Sequence, residues 1–163
     1  MDELENIYFF NFLSYLLFRI VKPETKLLKL VKENLSDIYW TRFENWASPG
    51  VPDCYGIKDG ISVWVELKVI HSKKIKLSPF QKSWNYNHSL QGGRNFIIAT
   101  TLGESLLYIF PGLVAPSIGS IAHCPRPYWV IDVSTGSGGT GSWDAVRELL
   151  LHSPLPKPEA PPQ

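Results

Sequence analysis

A chain of 163 residues is long enough for one domain with a sizeable core. With 44% hydrophobic and 19% charged residues it lies outside the disordered and collagenous classes, and a formal net charge of +1 neither demands nor excludes a polyanionic partner. The two cysteines, Cys54 and Cys124, stand at no metal or redox spacing, which fits a reducing, intracellular setting.

In chain order, Ile7 to Val21 is apolar on nearly every side and predicts a helix. It is shorter than the roughly 20 residues of a membrane span, and Asn11, Ser14 and Arg19 interrupt it. The acidic flank (Asp2, Glu3, Glu5) and the lack of a small-residue cleavage site argue against a signal peptide. Such a helix must be covered, and a contact between two copies of the chain is the expectation. Residues 1–22 are thus read as an appendage to a main domain over 23–152. Lys22-Pro23 breaks the run, and Pro23 suits the first position of a second helix, Glu24 to Leu35, whose buried stripe would be Leu27, Leu28, Leu30, Val31 and Leu35. Glu24 lies where the helix dipole favours a carboxylate, whatever else it does.

Ile38 to Phe43 reads as a strand, and Ser48-Pro49-Gly50 as a turn. Two apolar runs follow, Asp53 to Lys58 and Ile61 to Ile70, joined by Asp59-Gly60. An Asp-Gly pair between strands signals a two-residue hairpin, because both central residues need positive φ. The turn sets the register: Lys58 faces Ile61, Tyr55 faces Trp64 and Asp53 faces Glu66. Alternation then puts Asp53, Glu66 and Lys68 on one side of the sheet and Val63, Val65, Leu67 and Val69 on the other. Two carboxylates directly opposite repel. They require a cation between them, a shared proton, or a basic group such as Lys68 in a structural salt bridge.

From Glu66 to Arg94 the charged residues are Glu66, Lys68, Lys73, Lys74, Lys76, Lys82 and Arg94, a strongly basic segment that suits either a polyanion or plain solvation. Within it, Ser78-Pro79-Phe80-Gln81 has the form of a capping box opening a helix to about Leu90, stopped by Gly92-Gly93. Capping alone is sufficient reason for Ser78 and Gln81, although Gln81 also has the reach to face the carboxylates. Asn95 to Thr101 reads as a buried strand and Ser105 to Phe110 as another. Residues 111–127 read as a long loop carrying His123 and Cys124, and Tyr128 to Val133 as a last strand. Ser134 to Gly141 has linker composition; Ser142 would cap a final helix to about Leu151, and the proline-rich 153–163 predicts a disordered tail.

Gly50-Val51-Pro52-Asp53, Glu66-Leu67-Lys68 and Leu77-Ser78-Pro79-Phe80-Gln81, in this order at loop, strand and helix start, resemble the signature of the PD-(D/E)xK nuclease superfamily. Within it the pattern is most similar to VRR-NUC proteins and to phage and archaeal Holliday-junction resolvases. The resemblance spans roughly Glu24 to Thr101. It implies an α/β, restriction-endonuclease-like core: a central mixed sheet of about five strands flanked by helices, with the apolar N-terminal helix as an addition. It also implies a metal-dependent DNA endonuclease, structure-specific for branched DNA and acting as a homodimer, with no small-molecule cofactor. Asp53, Glu66 and the backbone carbonyl of Leu67 would hold Mg²⁺, or Mn²⁺ in its place. Lys68 would position the attacking water, with Gln81 and Glu24 in supporting roles; Glu33 is the fallback for Glu24. Arg42, Lys73, Lys74, Lys76, Ser78, Lys82 and Arg94 would contact DNA, with Glu44 near the entrance. The alternative is a nucleic-acid-binding module that kept the fold without catalysis.

Overall fold

The computed structural model describes residues 22–43, 49–101, 103, 105–120, 122, 125, 129–134 and 143–157. The expectations placed on the helix over 7–21, Glu44, His123, Cys124, Ser142, the linker beyond Ser134 and residues 158–163 lie outside them. Among the described residues no helix is long and apolar enough to cross a membrane.

Helix α1 (Pro23–Asn34) starts on its proline and buries Leu27, Leu28 and Val31, with Leu35 following as its C-cap. Leu30, expected in that stripe, is 39% exposed. At 100° per residue it falls off the arc that Leu27, Leu28 and Val31 share.

Six strands make one sheet in sequence order: β1 (Tyr39–Arg42), β2 (Cys54–Lys58), β3 (Ile61–Val69), β4 (Asn95–Thr100), β5 (Leu106–Pro111) and β6 (Trp129–Asp132). This is one more than expected, because the short β1 and β6 both pair fully as the outer strands among those described. The fold is α/β and the sheet is mixed. β3 and β4 run parallel, joined by a crossover through α2 (Pro79–Leu90), and every other pairing is antiparallel. The long loop after β5 opens as a 3-10 helix, Gly112–Ser117. Helix α3 (Trp143–Leu151) ends the main body.

The β2–β3 turn forms as its residues require, with φ of 50° at Asp59 and 78° at Gly60. The register follows: Lys58 stands opposite Ile61, Ile57 opposite Ser62 and Tyr55 opposite Trp64. The partition of faces follows from the register. Val63, Val65 and Leu67 join Phe96, Ile98, Leu107 and Ile109 in a core closed by Leu27 and Val31 of α1 and Val146 and Leu150 of α3. Each such fully buried aliphatic or aromatic side chain is worth about 1.5–3 kcal/mol of transfer free energy. The opposite face carries a smaller core of Ile97, Ala99 and Phe110 with Ile70, Ile75, Ala115 and Ile118. β4 is buried along its whole length, as befits a central strand covered on both faces.

The second face also holds buried polar groups, and they aim α2. Asn95 donates to both the backbone carbonyl and the side-chain oxygen of Asn85 and accepts from Ser89 Oγ at 2.7 Å. Asn85 in turn donates to the Gln81 carbonyl at 2.9 Å. A buried network in which each member is satisfied fixes one arrangement of helix on strand, and the first turn of α2 is held over β3 by it.

The tail begins later than its proline content suggests. Ser153 offers its carbonyl to Arg94, and Leu155 packs against the larger core, so the chain is tied down at least that far.

Candidate active site

β2 stops at Cys54 because Pro52, which would stand opposite Leu67 in a longer ladder, brings no N–H to extend it. Asp53 is therefore one step outside the strand. Its Oδ2 accepts the Leu67 N–H at 2.8 Å, a bond that the strand itself would otherwise have supplied. Extending the register by one residue sets Asp53 against Glu66, as the sequence predicts. Backbone directions add a further point. Trp64 N–H bonds to Arg94 on the β4 side, so the N–H and C=O groups of Val65 and Leu67 point to the β2 edge. The Leu67 carbonyl thus lies on the edge where Asp53 sits.

Gly50 shows why the stretch before Asp53 begins with glycine. Its φ is +95°, and a Cβ there would sit 2.5 Å from the Phe80 carbonyl oxygen. The loop can lie against the start of α2 only without a side chain. Gly50→Ala is expected to cost about 1–3 kcal/mol of stability, read as a lowered urea midpoint with an unchanged slope.

Glu66 is 0% exposed on the face opposite the larger core. Its Oε1 accepts from Lys68 Nζ at 2.8 Å and from Gln81 Nε2, while its Oε2 has no hydrogen-bond partner among the described residues. Gln81 serves two groups at once. Its Oε1 accepts the Ser78 N–H at 3.0 Å and Ser78 Oγ accepts the Gln81 N–H at 3.2 Å, closing the capping box, which leaves the amide nitrogen free to reach Glu66.

The electrostatics follow from burial. Desolvation, then repulsion from Asp53, pushes the Glu66 carboxyl from 4.5 up to about 7 against the opposing pull of Lys68 and Gln81. Desolvation also raises Asp53, with the Leu67 N–H and Lys68 pulling down and Glu24 adding to the rise. Burial pushes the neighbouring Cys54 thiol up as well, so it stays protonated and packs as a small apolar group. Two carboxylates thus face each other, both disfavoured as anions and one with an oxygen unmatched among the described residues. Among the described residues there is no group of three or more His, Cys, Asp and Glu side chains able to hold a metal. The donor set is two carboxylates and a carbonyl, all hard oxygens, which fits Mg²⁺ because that ion keeps several waters.

No family model and no curated protein matches this chain. Solved structures do, among them an archaeal one. The chain is similar to Hjc, a Holliday junction resolvase of the archaeal hyperthermophile Archaeoglobus fulgidus, at a TM-score of 0.44 and 15% identity over 65% of this chain and 84% of that one. A superposition that loose fixes no residue correspondence, and the site stands on its own geometry.

The remaining expected residues divide cleanly. Glu24 sits at the start of α1, half-buried, close enough for its charge to act on Asp53. Glu33, its fallback, is out on the surface paired with Lys29 at 3.7 Å. Arg42, on β1 beside Asp53, reaches Thr25 Oγ1 at 3.5 Å and also acts on the Asp53 carboxylate. Lys73, Lys74 and Lys76 are exposed on a loop pinned by the buried Ile70 and Ile75 and by bridges to His71 and Ser120. Lys82 donates to the Pro116 carbonyl at 3.0 Å.

Arg94 is not with them. Its Nε donates to the Leu151 carbonyl at 3.2 Å and its Nη1 to the Ser153 carbonyl at 2.9 Å, so it closes the C-terminal end of α3. Its guanidinium also lies over Phe96, 5.9 Å from the ring centre. Arg94→Ala is expected to lower stability by about 1–3 kcal/mol while leaving nucleic-acid affinity unchanged. Urea unfolding alongside a binding isotherm checks both halves.

Aromatic residues that sequence reasoning did not connect to the site border it. Trp64, two residues before Glu66 on the same face, packs edge-on against Trp84 of α2 at 5.5 Å, and Trp84 stacks on His88 at 4.5 Å. The signal was legible, since Phe80, Trp84 and His88 recur every fourth residue of a helix.

Proposed function

We propose that this chain is a divalent-metal-dependent nuclease of the PD-(D/E)xK type that hydrolyses phosphodiester bonds in DNA, with branched DNA as the substrate. The observation that carries the reading is Glu66: a fully buried carboxylate facing Asp53, with one oxygen held by Lys68 and Gln81 and the other unmatched. A protein keeps such a group only where something uses its charge. A bound Mg²⁺ or Mn²⁺ supplies Lewis acidity toward a phosphate oxygen and a more acidic water.

Each residue then has a task. Asp53, Glu66 and the Leu67 carbonyl hold the cation, and the Leu67 N–H fixes the Asp53 carboxylate. Lys68 lies on the same face, where it orients the attacking water and offsets charge gathering on the phosphate. Gln81 holds Glu66 in one rotamer, and Lys73, Lys74 and Lys76 lie along the DNA backbone, giving salt-sensitive, largely sequence-independent affinity. A symmetric junction needs paired cuts, so a dimer belongs to the proposal; sedimentation of the full chain as a monomer would remove it.

The test is cleavage of labelled junction, flap, duplex and single strand in Mg²⁺, in Mn²⁺ and in chelator. Cutting in either metal and none in chelator is expected. Intact substrates in every lane would end the nuclease reading. A second reading, a nucleic-acid-binding module without catalysis, draws on the lack of a third acidic or histidine ligand among the described residues. Calorimetry separates the two, because that module would bind DNA and take up neither metal.

A further inference from the structure

Beside the carboxylate pair, and not including it, lies an open cavity of about 470 Å³ on the outer side of α2. It is lined by the row Phe80, Trp84 and His88, by Ser83, Asn87 and Gln91 of the same helix face, and by Pro49. The volume is in the range of sites that take small rings, roughly 300–1,000 Å³. From Phe80 to Gln91 it extends about 16 Å along the helix.

We infer that this groove takes unpaired nucleobases of the strand whose phosphate lies at Asp53 and Glu66, making the unpaired stretch of a branched DNA the part of the substrate that the chain holds. The inference rests on the nuclease reading and narrows it. Three observations point to this occupant. The groove is linked to the site: Trp64 shares a strand face with Glu66 and packs on Trp84, which lines the cavity. Among the described residues the lining holds no Lys, Arg, Asp or Glu, and burial holds His88 toward its neutral form. A phosphate therefore meets no full positive charge from these lining side chains, whereas Lys73, Lys74 and Lys76 are exposed elsewhere on the chain. Finally, the lining pairs ring faces with amides. Phe80 is 62% exposed despite its size, a surface on which any base can stack, and the carboxamides of Asn87 and Gln91 present donors and acceptors to base edges. A continuous duplex hides its base faces in its own stack and gives Phe80 nothing to meet.

Binding is measured in chelator, without cleavage, by anisotropy of a labelled single strand, the same-length abasic strand and a blunt duplex. The wild-type chain is expected to hold the single strand about tenfold to a hundredfold tighter than the abasic strand. Phe80→Ala should remove that margin without changing affinity for the abasic strand, and Phe80→Tyr should restore it. Exposure of the Phe80 ring makes misfolding of these variants an unsuitable explanation, and Lys73→Ala supplies the contrast by weakening both strands alike. The inference is overturned if base-bearing and abasic strands bind equally, if Phe80→Ala changes nothing, if the duplex binds as tightly as the single strand, or if no nucleic acid binds. Failure of the nuclease reading alone looks different: the base-dependent margin persists while no substrate is cut in either metal.

Discussion

Glu66→Gln is expected to abolish cleavage, by about 10²–10³-fold or more, while making the metal-free protein more stable at pH 8. Loss of activity alone is what any damaged protein shows, so the second half is the informative one. At pH 8 the wild-type carboxylate is ionised, buried and opposite Asp53, with Oε2 unmatched. The amide has the same shape, carries no charge to desolvate, and places a donor where it meets Asp53 instead of repelling it. Its carbonyl still accepts from Lys68 and Gln81. A gain of about 1–3 kcal/mol follows, or several degrees in melting temperature for a chain of this size. At pH 5, where the wild-type carboxyl is itself protonated, the gain should vanish. A variant less stable than wild type at both pH values would mean that the ionised Glu66–Lys68 pair is a structural support, the salt-bridged hairpin that the sequence also allows.

What the sequence disclosed was chiefly what local rules govern. Asp59-Gly60 dictates its turn, the turn dictates the register, and the register puts Asp53, Glu66 and Lys68 on one face; each step is a two-residue rule with little room for tertiary override. The capping box at Ser78 and Gln81 is of the same kind. What stayed hidden depends on partners far along the chain. Nothing near Arg94 says that two carbonyls at Leu151 and Ser153 will claim its guanidinium, so a basic residue in a basic segment reads as another phosphate contact. Gly50 reads as a turn residue, although its demand comes from the Phe80 backbone thirty residues on. The periodicity of Phe80, Trp84 and His88 is plain in the sequence, but a stripe of aromatics at that spacing ordinarily enters a core. Only the packed structure shows that Phe80 faces outward. Gln81 is the instructive middle case: the cap was legible, and so was the reach toward the carboxylates, but one side chain performing both needs the helix axis that Asn85 and Asn95 set.

The second large effect is an exchange between protons and metal at the carboxylate pair. Glu66 titrates near 4.5 when unfolded and near 7 when folded, so between those values the folded chain keeps a proton that the unfolded chain has released. Stability in chelator is therefore highest below this window and falls as pH rises through it, by roughly 3 kcal/mol in total; the raised Asp53 adds in the same direction. His88, lowered by burial, works the other way across the same interval, and Asp37, lowered first by Lys58, matters only in more acid solution. The Glu66 contribution is accordingly the difference between wild type and Glu66→Gln, measured by urea unfolding at pH 5 and pH 8. A divalent cation needs the carboxylates that the proton neutralises. Mg²⁺ at about 100 times its dissociation constant should then raise wild-type stability by about 3 kcal/mol at pH 8, do little at pH 5, and do nothing for Glu66→Gln at either. Cleavage should climb over the same interval as the site gives up its proton. Parallel stability profiles with and without metal would show that the two carboxylates repel for some purpose other than holding a cation, and the proposed chemistry would lose its centre.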